Sequence, residues 1–549
     1  MDNREYARIL SEIATLQRIA GDNHFKVRAF ERAARLVEDL PEPIDRLLDG
    51  HRAELLQGIG ESIETELQAL RTSGASPRHE ELIARIGPGV LDLMDIQGLG
   101  MKRMQILFQE AGISSIAQLK RAAVEGRLRG LTSFGSSVEE KLLAEIEHWE
   151  RNRGRRYPLP EAKGLADSIR HQLLELGEVA RAEVGGSIRR GREMIGDIDI
   201  LVTTQSARTV SSYFKSLPEV TEIIADGDTR ASVRMIGGIQ VDLRVLETHL
   251  FGAGLHYFTG SKEHHIQMRL RSKRLALKIS EHGVCRHDDP DEVPVGPMDS
   301  EEELFAAVGL DYIPPEIRMG TDEIDAAELR SLPQLIEARD LKGDVHVHSE
   351  RSGGRGGVDE LCAEAARRGY EWLVVTERTR GVDAVHGLDA SSLVAWVDDC
   401  AREPLRHGVR VLCGVEAAIG ADGMLDVDHR LLSRCDWVSA SFGPQMEDDA
   451  DGNTQAVIWA VETGLISCLG SPTGRRLGVH DGPALYFDEV VEACLDFGVA
   501  LELNGHPSRL DLNAQQAGRA RQKGALLVLG SEASSAATMS NIDYALQQA

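Results

Sequence analysis

The sequence predicts a multidomain α/β protein with a helical N-terminal region, a mixed α+β segment and a C-terminal βα barrel. Three observations lead to this prediction. A chain of 549 residues is too long to fold around a single hydrophobic core. Apolar side chains between Glu5 and Glu38 recur at helical spacing around a break at Gly21. Beyond about residue 341, short apolar runs alternate with helical patterns, as in a βα barrel.

Composition limits the compartment and the partners. The polar N-terminus resembles no signal peptide and no apolar run reaches the length of a membrane span, so we expect no membrane partner. Seven cysteines without a Cys-x-x-Cys pair favour a reducing compartment over a disulfide framework or a zinc finger. We therefore expect a cytoplasmic protein, and a monomer.

The net charge of −26 argues against a nucleic-acid partner only until its distribution is considered. Residues 101–156 hold eleven Lys and Arg against seven Asp and Glu, and residues 262–286 hold seven against two. Residues 287–328 hold fourteen acids and one Arg. DNA binding requires a basic face rather than a basic protein, so both basic stretches are candidates for a DNA-binding surface.

Residues 184–202 combine a glycine-rich turn, a basic segment and two strand carboxylates. A strand ends at Val184, the turn 185–187 reads Gly-Gly-Ser, and a second strand opens with Asp197 and Asp199. Side chains two apart on a strand share a face, so both carboxylates point the same way. Small residues at the start of a helix let backbone N–H groups approach an anion, which predicts a polyphosphate at the turn.

A third carboxylate lies in residues 229–246. Two β-rich runs flank Gly237-Gly238, a composition typical of a two-residue hairpin loop, and this places Asp242 in mid-strand. Three carboxylates can hold two Mg²⁺ ions, one of which activates an attacking hydroxyl while the other holds a triphosphate.

Together these motifs resemble those of family X DNA polymerases. The resemblance rests on Gly-Gly-Ser-x-Arg-Arg-Gly from residue 185, Gly-Asp-x-Asp from residue 196, Asp242, and Tyr-Phe-Thr-Gly-Ser from residue 257. It implies a template-directed polymerase that fills short gaps in DNA repair, including base excision repair, using dNTPs on gapped or primer-template DNA. It further implies that Asp197, Asp199 and Asp242 are catalytic and hold two Mg²⁺ ions, for which Mn²⁺ can substitute.

The resemblance also places other residues. Ser187 and Arg190 would hold the triphosphate, and Tyr257 and Phe258 would pack on the incoming sugar. The full set implied for nucleotide binding is Gly186, Ser187, Arg190, Gly196, Tyr257, Phe258, Gly260 and His265, with Arg269 toward the template strand. His265 is a departure, because the family usually has an asparagine there that contacts the nascent base pair. A histidine donates or accepts according to its tautomer, so sugar discrimination and fidelity stay open.

The N-terminal region carries repeated Gly-x-Gly turns. The first is Gly58-Ile59-Gly60, the second is Gly98-Leu99-Gly100, and a weaker copy spans residues 131–135. Each fits a helix, a turn and a second helix, and the repetition resembles the helix-hairpin-helix element that contacts DNA phosphates through turn amides. Lys102 and Arg103 beside the second turn suit phosphate contact. The alternative for any one copy is a plain αα corner that needs glycine.

Some family X repair enzymes also remove a sugar-phosphate through a lysine Schiff base in this region. Here the helix after the first turn begins Glu61-Ser62-Ile63-Glu64, with glutamate where those lyases place the nucleophile. Lys26 is the only lysine of the first hundred residues. We therefore expect weak or no lyase activity, and borohydride trapping on abasic DNA would reveal a covalent adduct if this is wrong.

From residue 343 the chain resembles the PHP (polymerase and histidinol phosphatase) domain that bacterial family X polymerases carry at the C-terminus. His346-x-His348 at a strand end is similar to its first motif, which implies a metal cluster with 3′ exonuclease or phosphoesterase activity. Other metal-ligand positions of the family differ here: Glu377-Arg378 replaces Asp-His, and Phe442, Ser471 and Ser534 stand near or at histidine positions.

Arg378 would place positive charge where the family's cations sit, so we expect a degenerate barrel without manganese-dependent exonuclease activity. His346, His348 and Glu416 would nevertheless suffice chemically for one Zn²⁺ or Mn²⁺ ion, and a residual metal site stays open.

The predicted domains are an N-terminal helical DNA-binding domain (1–90), a helix-hairpin-helix fingers-like region (91–158), a nucleotidyltransferase palm and thumb (159–328), and a degenerate PHP-like barrel (329–549). Three other functions stay open: a template-independent nucleotidyltransferase, a DNA-end binding scaffold protein, and a PHP phosphoesterase with an idle polymerase module. The repeated turns disfavour the first, and the degenerate barrel with intact palm acids disfavours the last. A scaffold protein would require three silent aspartates.

Overall fold

The computed structural model forms two compact units, residues 1–155 and 156–549. It describes the chain apart from residues 1–2, 39–43, 45–47, 49–58, 74, 88, 97–98, 136–137, 144, 147–155, 290–292, 444–445 and 447–448. Two residues that the sequence assigns to DNA binding, Gly58 and Gly98, lie outside the described residues. The predicted four-domain division is not tested by this division into two units and stays a prediction.

The first unit is helical and has one apolar core. The predicted helix pair is confirmed, since α1 ends at Ala20 and α2 begins at His24, with Gly21 in the left-handed region between them. Within its described residues the helices of this unit are α1 (Asn3–Ala20), α2 (His24–Glu38), α3 (Glu61–Ser73), α4 (Pro77–Ile86), α5 (Met101–Ala111) and α6 (Ile116–Val124), with 3₁₀ turns at Leu91–Asp95 and Arg127–Gly130.

One detail of the second Gly-x-Gly turn differs from the prediction. The turn is preceded by the single 3₁₀ turn Leu91–Asp95 rather than by a full helix. Gly87, at φ 118°, ends α4, and the described residues between it and Gly100 form no further α-helix.

The second unit opens with a five-stranded sheet and the helices that flank it. The elements are β1 (Tyr157–Pro158), α7 (Leu159–Leu174), β2 (Val179–Val184), α8 (Gly186–Arg189), β3 (Met194–Ile195), β4 (Asp197–Thr204), α9 (Ala207–Lys215), β5 (Val220–Ala225), β6 (Arg230–Met235) and β7 (Gln240–Leu246). The order of the strands in the sheet is β2-β4-β7-β6-β5; β4 and β7 are parallel, and the other neighbours are antiparallel. We call this part the palm.

The hairpin between β6 and β7 is confirmed, but its predicted two-residue loop is wrong. The strands end at Met235 and resume at Gln240, and the Met235 N–H donates to the Ile239 carbonyl at 2.9 Å. Gly237 and Gly238 both have positive φ, as the sequence suggested, yet the connection is longer. Asp242 is in mid-strand as predicted.

A second small core follows the palm, and we call it the thumb. It is built from α10 (Phe251–Thr259), α11 (Lys262–Arg274), β8 (Leu277–Ser280), β9 (Gly283–Arg286), α12 (Glu301–Ala307) and α13 (Glu323–Glu328), with 3₁₀ turns at Thr248–Leu250 and Pro315–Ile317. The fully buried Arg318 forms an ion pair of 2.6 Å with Glu301, which compensates both charges inside this core.

The rest of the unit is the predicted βα barrel. Its strands are β10 (Gly343–Val347), β11 (Trp372–Arg378), β12 (Leu405–Arg406), β13 (Val409–Ile419), β14 (Trp437–Phe442), β15 (Cys468–Leu469), β16 (Ala500–Asn504) and β17 (Leu527–Gly530). All are parallel in the order β10-β11-β13-β14-β15-β16-β17, apart from β12, which is antiparallel to β13.

The barrel closes where the chain after β17 returns to β10. The His348 N–H donates to the Ala533 carbonyl at 2.7 Å, and the Ala533 N–H donates to the His346 carbonyl at 3.3 Å. The barrel helices are α14 (Val358–Arg367), α15 (Ala390–Arg402), α16 (His429–Leu432), α17 (Ala450–Glu462), α18 (Phe487–Phe497), α19 (Ala514–Lys523) and α20 (Ile542–Gln548), with 3₁₀ turns at Ala338–Asp340, Glu350–Ser352 and Ala537–Asn541. Among the described residues, no helix has the length and apolar character that crossing a membrane requires.

Candidate active site

Three carboxylates of the palm lie on the two parallel strands at the centre of its sheet. Asp199 on β4 is directly opposite Asp242 on β7, and Asp197 lies two residues before Asp199 on the same strand. Because alternate strand residues share a face, the register brings all three predicted acids to one face of the sheet. Asp197 is the most exposed of the three and Asp242 the most buried.

The carboxylates repel one another. Partial burial and the charges of Asp197 and Asp242 raise the pKa of Asp199 to about 7. Burial and the charge of Asp242 also raise the pKa of Asp197. Arg244 approaches Asp242 only to 3.8 Å, and Gln240 donates to Asp242 at 3.0 Å. Such a cluster of acids becomes stable in its charged form when a divalent cation neutralises it.

The glycine-rich turn lies against these acids. The Gly185 N–H donates to the Asp199 carbonyl at 2.9 Å, and α8 begins at Gly186. Gly186 has φ 61°, and a Cβ there would lie 2.5 Å from Asp199 Oδ2, so only glycine fits. The Ser187 hydroxyl and Arg190 Nε are buried and have no hydrogen-bond partner within the described chain. Both are therefore available to an anion.

A pocket of about 610 Å³ opens between the palm and the thumb beside this turn. It brings together most of the residues that the sequence assigned to the nucleotide, and it adds four to which the sequence analysis gave no role in binding. The predicted residues in its wall are Gly186, Ser187, Arg190, Asp197, Asp199, Tyr257, Phe258, Gly260, His265 and Arg269; the additional ones are Thr259, Ser261, Lys262 and Ile266. Gly196 and Asp242 are outside that wall, although Asp242 is next to Asp199 in the sheet.

His265 is held neutral in this pocket. Its Nε2 lies 2.9 Å from the Tyr257 carbonyl, which can only accept, so Nε2 carries the proton. Burial and the neighbouring His264 lower the pKa of His265 to about 4. The ring thus bonds to the same helix that presents Tyr257 and Phe258.

Arg189 is a functional candidate that the sequence reasoning left without a role. It donates to Thr259 Oγ1 at 2.8 Å and to Glu301 at 2.6 Å, and so joins the glycine-rich turn to the thumb. The Arg-Arg motif in the sequence includes Arg189, but its ion-pair partner Glu301 is more than a hundred residues away and could not be predicted from the motif.

The predicted DNA-binding residues that the structure describes are dispersed. Gly60 and Gly100 immediately precede α3 and α5, and their carbonyls accept from the first turns of those helices. Lys102 is exposed on α5, while Arg103 lies over the Phe134 ring at 5.8 Å. Arg269 lines the pocket of the second unit.

The barrel contains a second cluster of predicted site residues. Nitrogen atoms of His346 and His348 and an oxygen of Glu416 lie within 4.8 Å of one another, and all three residues are buried. Nε2 of each histidine has no hydrogen-bond partner among the described residues, and both lie near Glu416 Oε2, at 3.5 and 3.7 Å.

Two arginines occupy the same region of the barrel. Arg378 lies 3.5 Å from both Glu416 and Glu532, and Arg509 lies 3.1 Å from Glu532. Burial alone would raise the pKa of Glu532, but the charges of Arg509 and His346 lower it to about 2. Glu416 and Glu532 are thus already paired with protein cations.

Further barrel residues could not be identified from the sequence. Glu502 on β16 lies 2.8 Å from His346 Nδ1 and accepts from the Ser471 N–H at 3.1 Å. Glu377, at a substituted ligand position, accepts from Ser352 at 2.5 Å. Local motifs do not show these pairs because each joins residues that are at least 25 positions apart in the chain.

The comparisons with known proteins agree with this geometry. Family models described as a helix-hairpin-helix domain, a DNA polymerase beta palm and a DNA polymerase beta thumb match residues 1–75, 156–233 and 254–319. The DNA polymerase/3′-5′ exonuclease PolX of Bacillus subtilis is 31% identical over 97% of this chain and 92% of its own length. This chain belongs to the PolX group of family X DNA polymerases. Membership implies dependence on divalent metal, which the three palm carboxylates fit.

Other relatives match parts of this PolX family chain. DNA polymerase lambda of Rattus norvegicus is 22% identical over 56% of the chain and 55% of its own length. A probable phosphatase of Syntrophotalea carbinolica is 32% identical over 29% of the chain and 64% of its own length. The palm match ends at residue 233, so the assignment of Asp242 rests on its register with Asp199.

Proposed function

We propose that this enzyme fills short gaps in DNA during repair, adding dNTPs to a primer 3′-hydroxyl as the template directs. The observation that carries the proposal is the register of Asp199 with Asp242 beside the pocket, which places three repelling carboxylates next to a turn suited to polyphosphate. Base excision repair is one process that produces such gaps.

The residues in the pocket and beside it have different roles in this proposal. Asp197, Asp199 and Asp242 would hold two Mg²⁺ ions, or Mn²⁺ in their place, and these ions supply the charge neutralisation and hydroxyl activation that nucleotidyl transfer needs. Ser187 and Arg190 bind the triphosphate, with Gly186 allowing its close approach. Tyr257 and Phe258 pack on the sugar. His265 contributes a neutral ring beside the base pair that forms. Gly196 directly precedes Asp197, and Gly260 lines the pocket.

In this proposal the first unit binds the DNA backbone. The turns at Gly58 to Gly60 and Gly98 to Gly100 contact backbone phosphates, assisted by Lys102 and Arg103, and Arg269 faces the template strand. The free state of all seven cysteines fits the proposed cytoplasmic location. A monomer is part of the same proposal.

We assign no exonuclease activity to the barrel, in contrast to the activity in the name of the Bacillus subtilis relative. Support comes from Arg378 and Arg509, which neutralise Glu416 and Glu532 without a metal. The competing function rests on the cluster of His346, His348 and Glu416, whose donor set suits Zn²⁺ or Mn²⁺.

The test is extension of a labelled primer on a duplex with a one-nucleotide gap, with Mg²⁺ and one dNTP at a time. The proposal predicts addition of the template-matched nucleotide alone. A parallel reaction with Mn²⁺ and no dNTP should leave the primer length unchanged. Primer shortening that is lost in His348→Gln would instead establish a working metal site in the barrel. Absence of extension would favour the DNA-end binding role.

A further inference from the structure

The barrel contacts the palm at the segment that follows the glycine-rich turn. The Gln548 side-chain amide donates to the Gly191 carbonyl at 2.7 Å, and the bond is buried. The neighbouring Gln547 donates to the Ile188 carbonyl at 3.3 Å. Both glutamines belong to α20, so side chains of one barrel helix donate hydrogen bonds to two backbone carbonyls of residues 186–193. We call residues 186–193 the triphosphate segment.

The fit at Gly191 is close. Gly191 has φ 67°, and a Cβ there would lie 2.7 Å from Gln547 Cγ. A barrel side chain, rather than a palm one, therefore limits which residue this position accepts. The palm core itself includes Leu510 of the barrel, which is fully buried, with Leu477 and Tyr544 packed against the same core. The contact between the barrel and the palm is therefore part of a shared apolar core.

An ion pair completes the contact. Arg475 binds both oxygens of Glu193, at 2.5 and 3.1 Å, and both side chains are largely buried. Because two guanidinium nitrogens bind the two carboxylate oxygens, the ion pair fixes the orientation of the Glu193 side chain as well as its distance from Arg475. Arg475 also cancels a negative charge located at the end of a segment that is proposed to bind a polyanion.

The loop that carries Arg475 begins at the degenerate barrel site. Its Ser471 stands where the family has a histidine, and the Ser471 N–H donates to Glu502. Thr473 and Gly474 both donate from their backbone N–H groups to Asp511 at 3.0 Å, which ties this loop to the one after β16. A loop of the former metal site thus leads directly to the triphosphate segment.

We propose that the barrel acts as a positioning element for the incoming nucleotide, with Arg475, Gln547 and Gln548 fixing the triphosphate segment in its binding conformation. The inference rests on the proposed polymerase function and deepens it, because it gives the degenerate barrel a task in dNTP binding. The three side chains are positioning residues, since they act through the backbone of residues 188–191 and through Glu193.

The test compares four variants with the wild-type enzyme: Arg475→Ala, Gln548→Glu, the double variant Glu193→Ala with Arg475→Ala, and Arg519→Ala as control. Arg519 pairs with Asp488 on the barrel surface, away from the palm contacts described above. KM for the matched dNTP and kcat are measured on the gapped duplex, together with the Kd for that DNA and the thermal midpoint. Binding of inorganic tripolyphosphate with Mg²⁺ is measured by calorimetry.

We expect Arg475→Ala and Gln548→Glu to raise KM for dNTP about tenfold, equivalent to about 1.4 kcal/mol, with kcat and the Kd for DNA changed less than about twofold. The tripolyphosphate Kd should rise in parallel. The double variant should recover part of the loss, because it removes the unpaired Glu193 charge near the polyanion. Arg519→Ala should match the wild type.

Unchanged KM and unchanged tripolyphosphate binding in folded variants would overturn the inference. So would a matched fall of kcat and thermal midpoint in all four variants, since that would mean a general loss of stability. Failure of the polymerase function has a different signature: the wild type then adds no nucleotide at all. In that case the tripolyphosphate measurement still decides the inference, because it needs no nucleotide addition.

Discussion

The palm and the barrel each gather buried or half-buried acids, yet the pKa shifts of Asp197 and Asp199 in the palm are opposite in sign to those of Glu416 and Glu532 in the barrel. In the palm, burial and mutual repulsion raise the pKa of Asp199 to about 7. In the barrel, burial would raise the pKa of Glu416, but His346, His348 and Arg378 lower it well below its usual value. A carboxylate cluster that lacks compensating cations attracts metal, whereas one that holds arginine is already satisfied. The difference in charge, rather than the number of ligands, therefore supports the proposal of a metal site in the palm and an inactive barrel.

The largest expected effect is on the palm acids. Asp242→Asn keeps the shape of the side chain and removes one negative charge from the group that would hold the ions. We expect the rate of single-nucleotide addition to fall about a thousandfold, which is several kcal/mol of transition-state stabilisation. Asp167→Asn, at a half-exposed position on α7, serves as a control with the same chemical change. If Asp242→Asn keeps an activity within tenfold of the wild type, Asp242 is dispensable and the palm acids are not the metal site that the comparison with the barrel assumes.

Removing an arginine from the barrel should have the next largest effect. Arg378→Ala leaves Glu416 and Glu532 partly uncompensated, and breaking one partner of a buried ion pair costs about 3–5 kcal/mol. Because Arg509 still pairs with Glu532 and Arg378 is 20% exposed, we expect a loss of about 2 kcal/mol in the free energy of unfolding. Urea unfolding measures it.

Arg380→Ala is the matched control, since Arg380 is 66% exposed in its pair with Asp389. We expect it to change the free energy of unfolding by less than about 0.5 kcal/mol. The Arg378→Ala variant should also bind Mn²⁺ more tightly at the barrel than the wild type does. Equal stability of the two variants would show that Arg378 does not take the place of a cation.

The pH dependence of metal binding sharpens the comparison further. Asp199 binds a cation in its charged form, and its pKa is raised to about 7 in the folded, metal-free protein. Lowering the pH from 8 to 6 protonates it, so the apparent affinity of the palm for Mg²⁺ should fall about tenfold, the effect of one proton over one pH unit below the pKa. Titration of Mg²⁺ against primer extension at each pH measures the change. An affinity for Mg²⁺ that does not change between pH 8 and pH 6 would mean that Asp199 is still ionised at pH 6.

The smallest effect is a shift in stability on adding metal. Mg²⁺ at about three times its dissociation constant should stabilise the folded protein by about 1 kcal/mol, because it binds the folded state preferentially. Thermal unfolding with and without Mg²⁺ detects this shift. We expect Asp199→Asn to abolish it and His348→Gln to leave it unchanged. The reverse pattern would place the tighter site in the barrel.

The sequence predicted the parts of the palm site that depend on local pattern. Asp197 and Asp199 are two apart on a strand, and Gly186 begins a helix, so alternation and turn chemistry were enough to bring them together. Asp242 needed one further step, the resemblance, because its opposition to Asp199 is a matter of register between distant strands.

The barrel was less accessible to sequence reasoning. The loss of ligands at Arg378 and Ser471 was visible, but the partners that compensate for it were not. Glu502 approaches His346 from a strand more than a hundred and fifty residues away, and Gln548 reaches Gly191 from the other end of the unit. Such pairs follow from tertiary packing and leave no periodic signal.

Arg378 also has an evolutionary consequence. Its guanidinium bridges Glu416 and Glu532, so restoring a histidine there removes their shared counter-charge before any other ligand has returned. Phe442, Ser471 and Ser534 also depart from the ligand pattern of the family, so several substitutions separate this barrel from a complete ligand set. On the proposal of an inactive barrel, a chain that regained these ligands one at a time would lose the counter-charge of Arg378 before the set was complete. Arg378 therefore opposes a stepwise return to the metal-binding arrangement of the family.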